Sequence, residues 1–139
     1  EGEYDAIVSI FDVLNFLDND SLINFLDAVA DKLTDDGVFI ADINTRYGFS
    51  DVAEGTMSSE NENEFLVVDA VFENDELHTK FTLFEKTEDD MYKKHQDTIV
   101  QHFHKMKIFQ KLSGLKLVDK QTFSLYDTED KTLLIFKKK

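Results

Sequence analysis

The sequence predicts an α/β fold with an inserted antiparallel β-meander, on three observations. Two short runs, Ala6 to Phe11 and Val38 to Ala41, are apolar on both faces, as strands covered on both sides are. The stretch between them has the apolar spacing of a helix. Beyond residue 63 the apolar residues alternate with polar ones, as in half-buried antiparallel strands. With 139 residues and 42% hydrophobic content, thirteen Phe among them, the chain is long and apolar enough for one domain, 1–139, with its own core.

The first strand covers Tyr4 to Phe11. In the helix, Leu22, Phe25, Leu26, Val29 and Leu33 fall at i, i+3, i+4, i+7 and i+11, one stripe that packs on a sheet. Asp18, Asp20 and Ser21 supply N-cap chemistry and negative charge at the positive end of the helix dipole. Gly37 is expected at the helix C-terminus as a left-handed residue, before a short buried strand at Val38 to Ala41. Strand, helix and strand with short connections make a right-handed crossover. In such sheets chemistry gathers beyond the carboxyl ends of the strands, here Phe11 to Asn15 and Asp42 to Thr45.

Arg46 to Asn63 is polar and acidic and reads as a loop, with one helical turn near Phe49 to Ala53; a loop this long is either a lid over the crevice or a plain connector. Residues 64 to 103 read as a three-stranded meander with turns at Glu73 to Glu76 and Thr87 to Asp90, its last strand a solvated edge. A short helix is expected from His104 or Lys105, with Ile108, Phe109 and Leu112 inward and Gly114 at its end. Leu115 to Phe123 is a strand, Ser124 to Asp130 a loop and Lys131 to Lys137 the last strand.

A net charge of −14 argues against binding nucleic acid or an anionic membrane, whose attraction comes from Lys and Arg. The chain has no Cys, so it has neither disulfides nor thiolate chemistry, which fits a reducing cytoplasm. No apolar run approaches the ~20 residues of a membrane span. His102 and His104 share a strand face and His95 lies seven residues before His102, but without Cys or a matching Glu the pattern reads as solvated histidines rather than a metal site.

The segments YDAIVSIFDVLNFL and DGVFIADINT resemble the fourth and fifth strands of class I S-adenosylmethionine-dependent methyltransferases. The tail FHKMKIFQKLSGLKLVDKQTF resembles that family's closing helix, turn and sixth strand, and TLLIFKKK its seventh. The resemblance implies a partial Rossmann-like methyltransferase sheet of strands 4, 5, 7 and 6, with 1–45 and 104–139 as core and 46–103 as a substrate-side loop and insertion. It also implies S-adenosyl-L-methionine as cofactor and a small-molecule methyl acceptor. The family's Gly-rich loop after the first strand and the acidic residue ending the second have no counterpart: the five Gly stand at 2, 37, 48, 55 and 114, with no G-x-G. The expectation is therefore a carboxy-terminal piece of a methyltransferase, itself inactive, with an apolar edge at Ala6 to Ile10 through which copies self-associate.

The resemblance places Ile10, Phe11 and Asp12 along the methionine part of the cofactor, and Asn15, Asn44 and Tyr47 on the acceptor side. Asp12 has a plainer role open to it, beginning the loop and capping its turn, and so does Asn15, turning the chain into the helix. Arg46 is the only Arg; it can clamp a substrate carboxylate or phosphate with two parallel bonds, or make a surface ion pair with an acidic neighbour. Methyl transfer asks mainly for in-line positioning and a suitable field, so no catalytic triad is expected. A different class, a stand-alone binding module built on the Phe-rich meander, predicts antiparallel pairing of the first two strands within that meander. An enzyme-derived sheet predicts that they pair parallel.

Overall fold

The computed structural model describes residues 2–126 and 129–139. Strand β1 (Tyr4–Ser9) leads through a 3-10 turn at Val13–Phe16 to helix α1 (Asn19–Lys32), which runs directly into β2 (Leu33–Asn44). The Asp18 carboxylate accepts the Ser21 N–H at 2.8 Å and starts the helix, and this bond holds its pKa below the usual value. Leu22, Leu26, Val29 and Ala30 are buried, and the stripe continues into the fully buried Leu33. The Phe25 ring meets Phe39 edge-on at 6.2 Å, Phe39 stacks on Phe136 at 5.7 Å, and Phe109 closes the group at 6.0 Å from Phe136. This is the main core.

Gly37 does not end the helix. The helix stops at Lys32, with Leu33 as its cap, and Gly37 lies inside β2 without a left-handed backbone. A Cβ there would stand 3.0 Å from the Tyr4 carbonyl oxygen and 2.9 Å from that of Thr34, so Gly is needed for the close approach of β1. The register confirms a bulge at this point, passing from Tyr4 opposite Leu33 to Ala6 opposite Val38.

Strands β1 and β2 pair parallel, the pairing that separates an enzyme-derived sheet from a stand-alone meander module. The first sheet is completed by β7 (Leu115–Phe123) and β8 (Lys131–Lys138) in the order β1-β2-β8-β7, with β2–β8 and β8–β7 antiparallel. Of the loop expected at Ser124 to Asp130, residues 127 and 128 lie outside the described residues. The expected helix after His104 is absent. Residues 105–111 form successive turns, with Ile108 N–H bonded to Lys105 O and Phe109 N–H to Met106 O. Burial of His104, Phe109, Leu112 and Leu115 at irregular spacing wins over local propensity there.

The second sheet is an antiparallel meander of four strands rather than three: β3 (Gly55–Glu60), β4 (Glu64–Glu73), β5 (Glu76–Lys86) and β6 (Tyr92–His102). Strand β3 falls in the stretch read as loop. Every residue of it is exposed, so no burial pattern marks it, and it exists by pairing with β4. The helical turn expected near Phe49 is a π-type turn at Gly48–Ala53. It carries Phe49 into a small second core, stacked on Phe72 at 5.3 Å and edge-on to Phe103 at 6.4 Å.

Candidate functional site

The carboxyl ends of β1 and β2 lie side by side because the two strands are parallel neighbours. Phe11 and Asp12, just past β1, both hold left-handed backbones, with φ of 63° and 62°. Neither is Gly, so the turn is strained, and such strain concentrates at functional sites. It leaves Phe11 77% exposed and Ile10 about half exposed. It turns Asp12 toward Lys131, the first residue of β8, and the two form an ion pair. Lys131 is only 4% exposed, an unusual burial for a lysine.

Asp42 lies beneath this pair on β2. It is 7% exposed, and its Oδ1 has no hydrogen-bond partner among the described residues. Burial first, and then the charge of Asp12, push its carboxyl above the ordinary Asp value; Lys131 opposes the shift. The structure therefore gathers two carboxylates and one buried ammonium where a crevice ligand would lie.

Asn15 and Asn44 are brought together in another way. Asn15 is fully buried; its Nδ2 donates to the His102 carbonyl at 2.8 Å and its Oδ1 accepts the Asn44 N–H at 2.9 Å. Its amide thus ties the turn after β1 to β2 and β6. Arg46 has its partners on the meander side. Its guanidinium pairs with Asp75 at the tip of the β4–β5 hairpin and lies over the Phe103 ring at 4.5 Å. This is an ion pair of the kind sequence offered beside the substrate clamp, and the acidic neighbour is Asp75. Tyr47, beside it, remains partly exposed.

Two residues of the site region were not singled out as site residues by the sequence. Lys131 reads only as the first residue of the last strand, and only the register that sets it opposite Asn44 puts it beside Asp12. His104 reads as one of four scattered histidines but is buried, its Nε2–H donating to Leu14 O at 2.9 Å. A separate cleft of about 1040 Å³ opens between the start of α1, the hairpin tip and residues 102–113. Lysines and carboxylates line it, and Asp12, Asp42, Asn44 and Lys131 do not.

No protein-family model matches the chain, and no curated protein does. Solved structures do. An S-adenosylmethionine-dependent methyltransferase from Clostridium acetobutylicum ATCC 824 superposes with a TM-score of 0.77 at 23% identity, covering 98% of this chain and 58% of the other. A sugar N-methyltransferase from Streptoalloteichus sp ATCC 53650 gives a TM-score of 0.71 at 13% identity, over 96% of this chain and 56% of the other. A SAM-bound amino pentose methyltransferase from Micromonospora echinaspora gives 0.69 at 12%, over 99% and 59%. The chain thus has the mixed α/β fold of these methyltransferases and spans less than two thirds of their length.

Proposed function

We propose that this chain is the acceptor-side half of an S-adenosylmethionine-dependent methyltransferase that acts on a small molecule. One observation carries the reading: almost the whole chain superposes on little more than half of several such enzymes. In this reading β1, β2, β8 and β7 correspond to the family's strands 4, 5, 7 and 6, and the meander is an insertion over the acceptor. Ile10, Phe11 and Asp12 lie along the methionine part of the cofactor. Asn15, Asn44, Arg46 and Tyr47 stand on the acceptor side, with Asn15 also tying the turn after β1 to β2 and β6.

The open side of β1 supports the same reading. β1 ends the sheet, and beside it Tyr4, Ala6, Ile7, Phe25, Ala28 and Val29 line an apolar groove of about 430 Å³. A strand and helix from a preceding half would cover both. By itself the chain lacks a Gly-rich loop to cradle the cofactor, so it binds weakly or not at all. Isothermal titration calorimetry with S-adenosylhomocysteine tests this. Binding is expected to the full-length protein; its absence there defeats the reading, and micromolar affinity in the 139-residue chain defeats the division of labour.

A further inference from the structure

The edge strands are β1 and β7 in the first sheet and β3 and β6 in the second. Protein edges are blunted by charge, Pro or a bulge. β6 carries Lys93, Lys94, His95 and Asp97; β7 carries Lys116, Asp119 and Lys120, with a register shift between Leu117 and Asp119. β1 also has a register shift, and in the reading above a preceding half covers it. β3 has none of these devices. It pairs without a break from Gly55 opposite Ala70 to Glu60 opposite Phe65, and every residue of it is exposed. In a chain with 32% charged residues, Gly55-Thr56-Met57-Ser58-Ser59 carries no charge. The strand is also held in shape. Thr56 Oγ1 donates to the Asp69 carboxylate at 2.6 Å, and the Asn61 side-chain oxygen accepts the Asn63 and Glu64 N–H groups at 2.9 Å, fixing the β3–β4 turn.

We propose that β3 is a dimer edge: it takes the β3 of a second copy, antiparallel about a two-fold axis at Ser58, and joins two four-stranded meanders into one continuous sheet. Charge selects the occupant. At −14 two copies repel each other unless they meet where the surface is neutral, and β3 is the neutral edge. Charge also selects the register. Parallel pairing lays Glu60 beside its twin. An antiparallel pair centred on Met57 sets Glu60 against the partner's Glu54, and one centred on Ser59 leaves the two Glu60 only about 7 Å apart along the strands. Centred on Ser58, the pair sets Thr56 opposite the partner's Glu60 and Met57 opposite the partner's Ser59. The two Glu60 then stand about 14 Å apart, beyond the Debye length of ~8 Å. The two Met57 side chains, each 65% exposed in the single chain, become diagonal neighbours on one face. One short strand a side covers less than the ~800 Å² per partner of a standard interface, so the dimer is reversible.

The test uses the 139-residue chain carrying Val8→Lys, which silences the β1 edge. In sedimentation velocity this chain is expected to dimerise at high concentration and to dissociate on dilution. Ser58→Lys sets two like charges face to face on the axis. It raises the dissociation constant about fivefold, and far-ultraviolet circular dichroism stays unchanged because Ser58 is exposed. A second variant reads the register. The chain has no Cys, and residues directly opposite in an antiparallel pair stand within disulfide reach. Ser58→Cys is therefore expected to give a covalent dimer in oxidised glutathione, and Thr98→Cys, at an exposed position of β6, is expected to give none. A Val8→Lys chain that stays monomeric at high concentration leaves β3 to some other occupant and overturns the proposal. A dimer indifferent to Ser58→Lys overturns it too, as does cross-linking of Thr98→Cys as fast as that of Ser58→Cys. The dimer does not depend on the methyl-transfer reading, and none of these outcomes bears on it.

Discussion

Asn15 shows how much one buried amide can hold. Its donor and its acceptor serve main-chain groups on β6 and β2, so removing the side chain orphans both. Asn15→Ala should cost about 2–4 kcal/mol, read as a lower urea midpoint with unchanged slope. His104 provides a pH signature. Burial holds its pKa below the ordinary value of 6.5, so the folded chain keeps it neutral where the unfolded chain is charged. As pH falls below about 6.5 the unfolded state takes up a proton that the folded state does not, and stability is lost until the folded pKa is reached. Urea midpoints between pH 7.5 and 5 should fall for the wild type and stay flatter for His104→Gln. Asn15 was legible in the sequence as a residue of interest, but its partners were not. His102 lies 87 residues away, and no local pattern brings the two together.

At the scale of elements, the hairpin tip and the π-type turn join the meander to the first sheet. Asn74 and Asp75 hold φ of 53° and 63°, the tight turn that suits twisted antiparallel strands. The tip then docks: Asp75 pairs with Arg46 and with Lys105 at 3.2 Å, and its carbonyl accepts the Phe103 N–H at 2.8 Å. Asp75→Asn keeps a residue that tolerates this backbone and removes only the charge. Faster amide exchange at Phe103 and along the start of β5 is expected, with the difference shrinking in high salt. Gly48 is a stricter requirement. A Cβ there would stand 2.4 Å from the Asp130 carbonyl oxygen, which is backbone and cannot swing away. Gly48→Ala should destabilise by about 1–3 kcal/mol in thermal unfolding, through forced displacement of the turn that carries Phe49. These elements differ in how far they could be read. The β4–β5 turn announces itself through its Asn and Asp. Strand β3 is silent because a strand exposed on both faces has no alternation, and the helix expected after His104 failed because tertiary burial outbid a short local pattern.

For the whole molecule, the open side of β1 matters most. Val8 is 58% exposed on a strand with one neighbour, and the apolar groove adjoins it. Free edges of this kind recruit other strands. The 139-residue chain alone should therefore self-associate in sedimentation velocity, and Val8→Lys should shift it toward monomer; a monomeric wild type at high concentration contradicts this. By itself the sequence determined the α/β class, the strand–helix–strand opening, the closing strand pair and the meander's place between the two, because each rests on a periodicity written within ten or fifteen adjacent residues. Only the tertiary structure decided that the Asn15 amide bridges β6 and β2, that Arg46 pairs with Asp75, and that Lys131 meets Asp12 across 119 positions. Those facts depend on which strands become neighbours, and one chain's local pattern does not encode a pairing between distant segments.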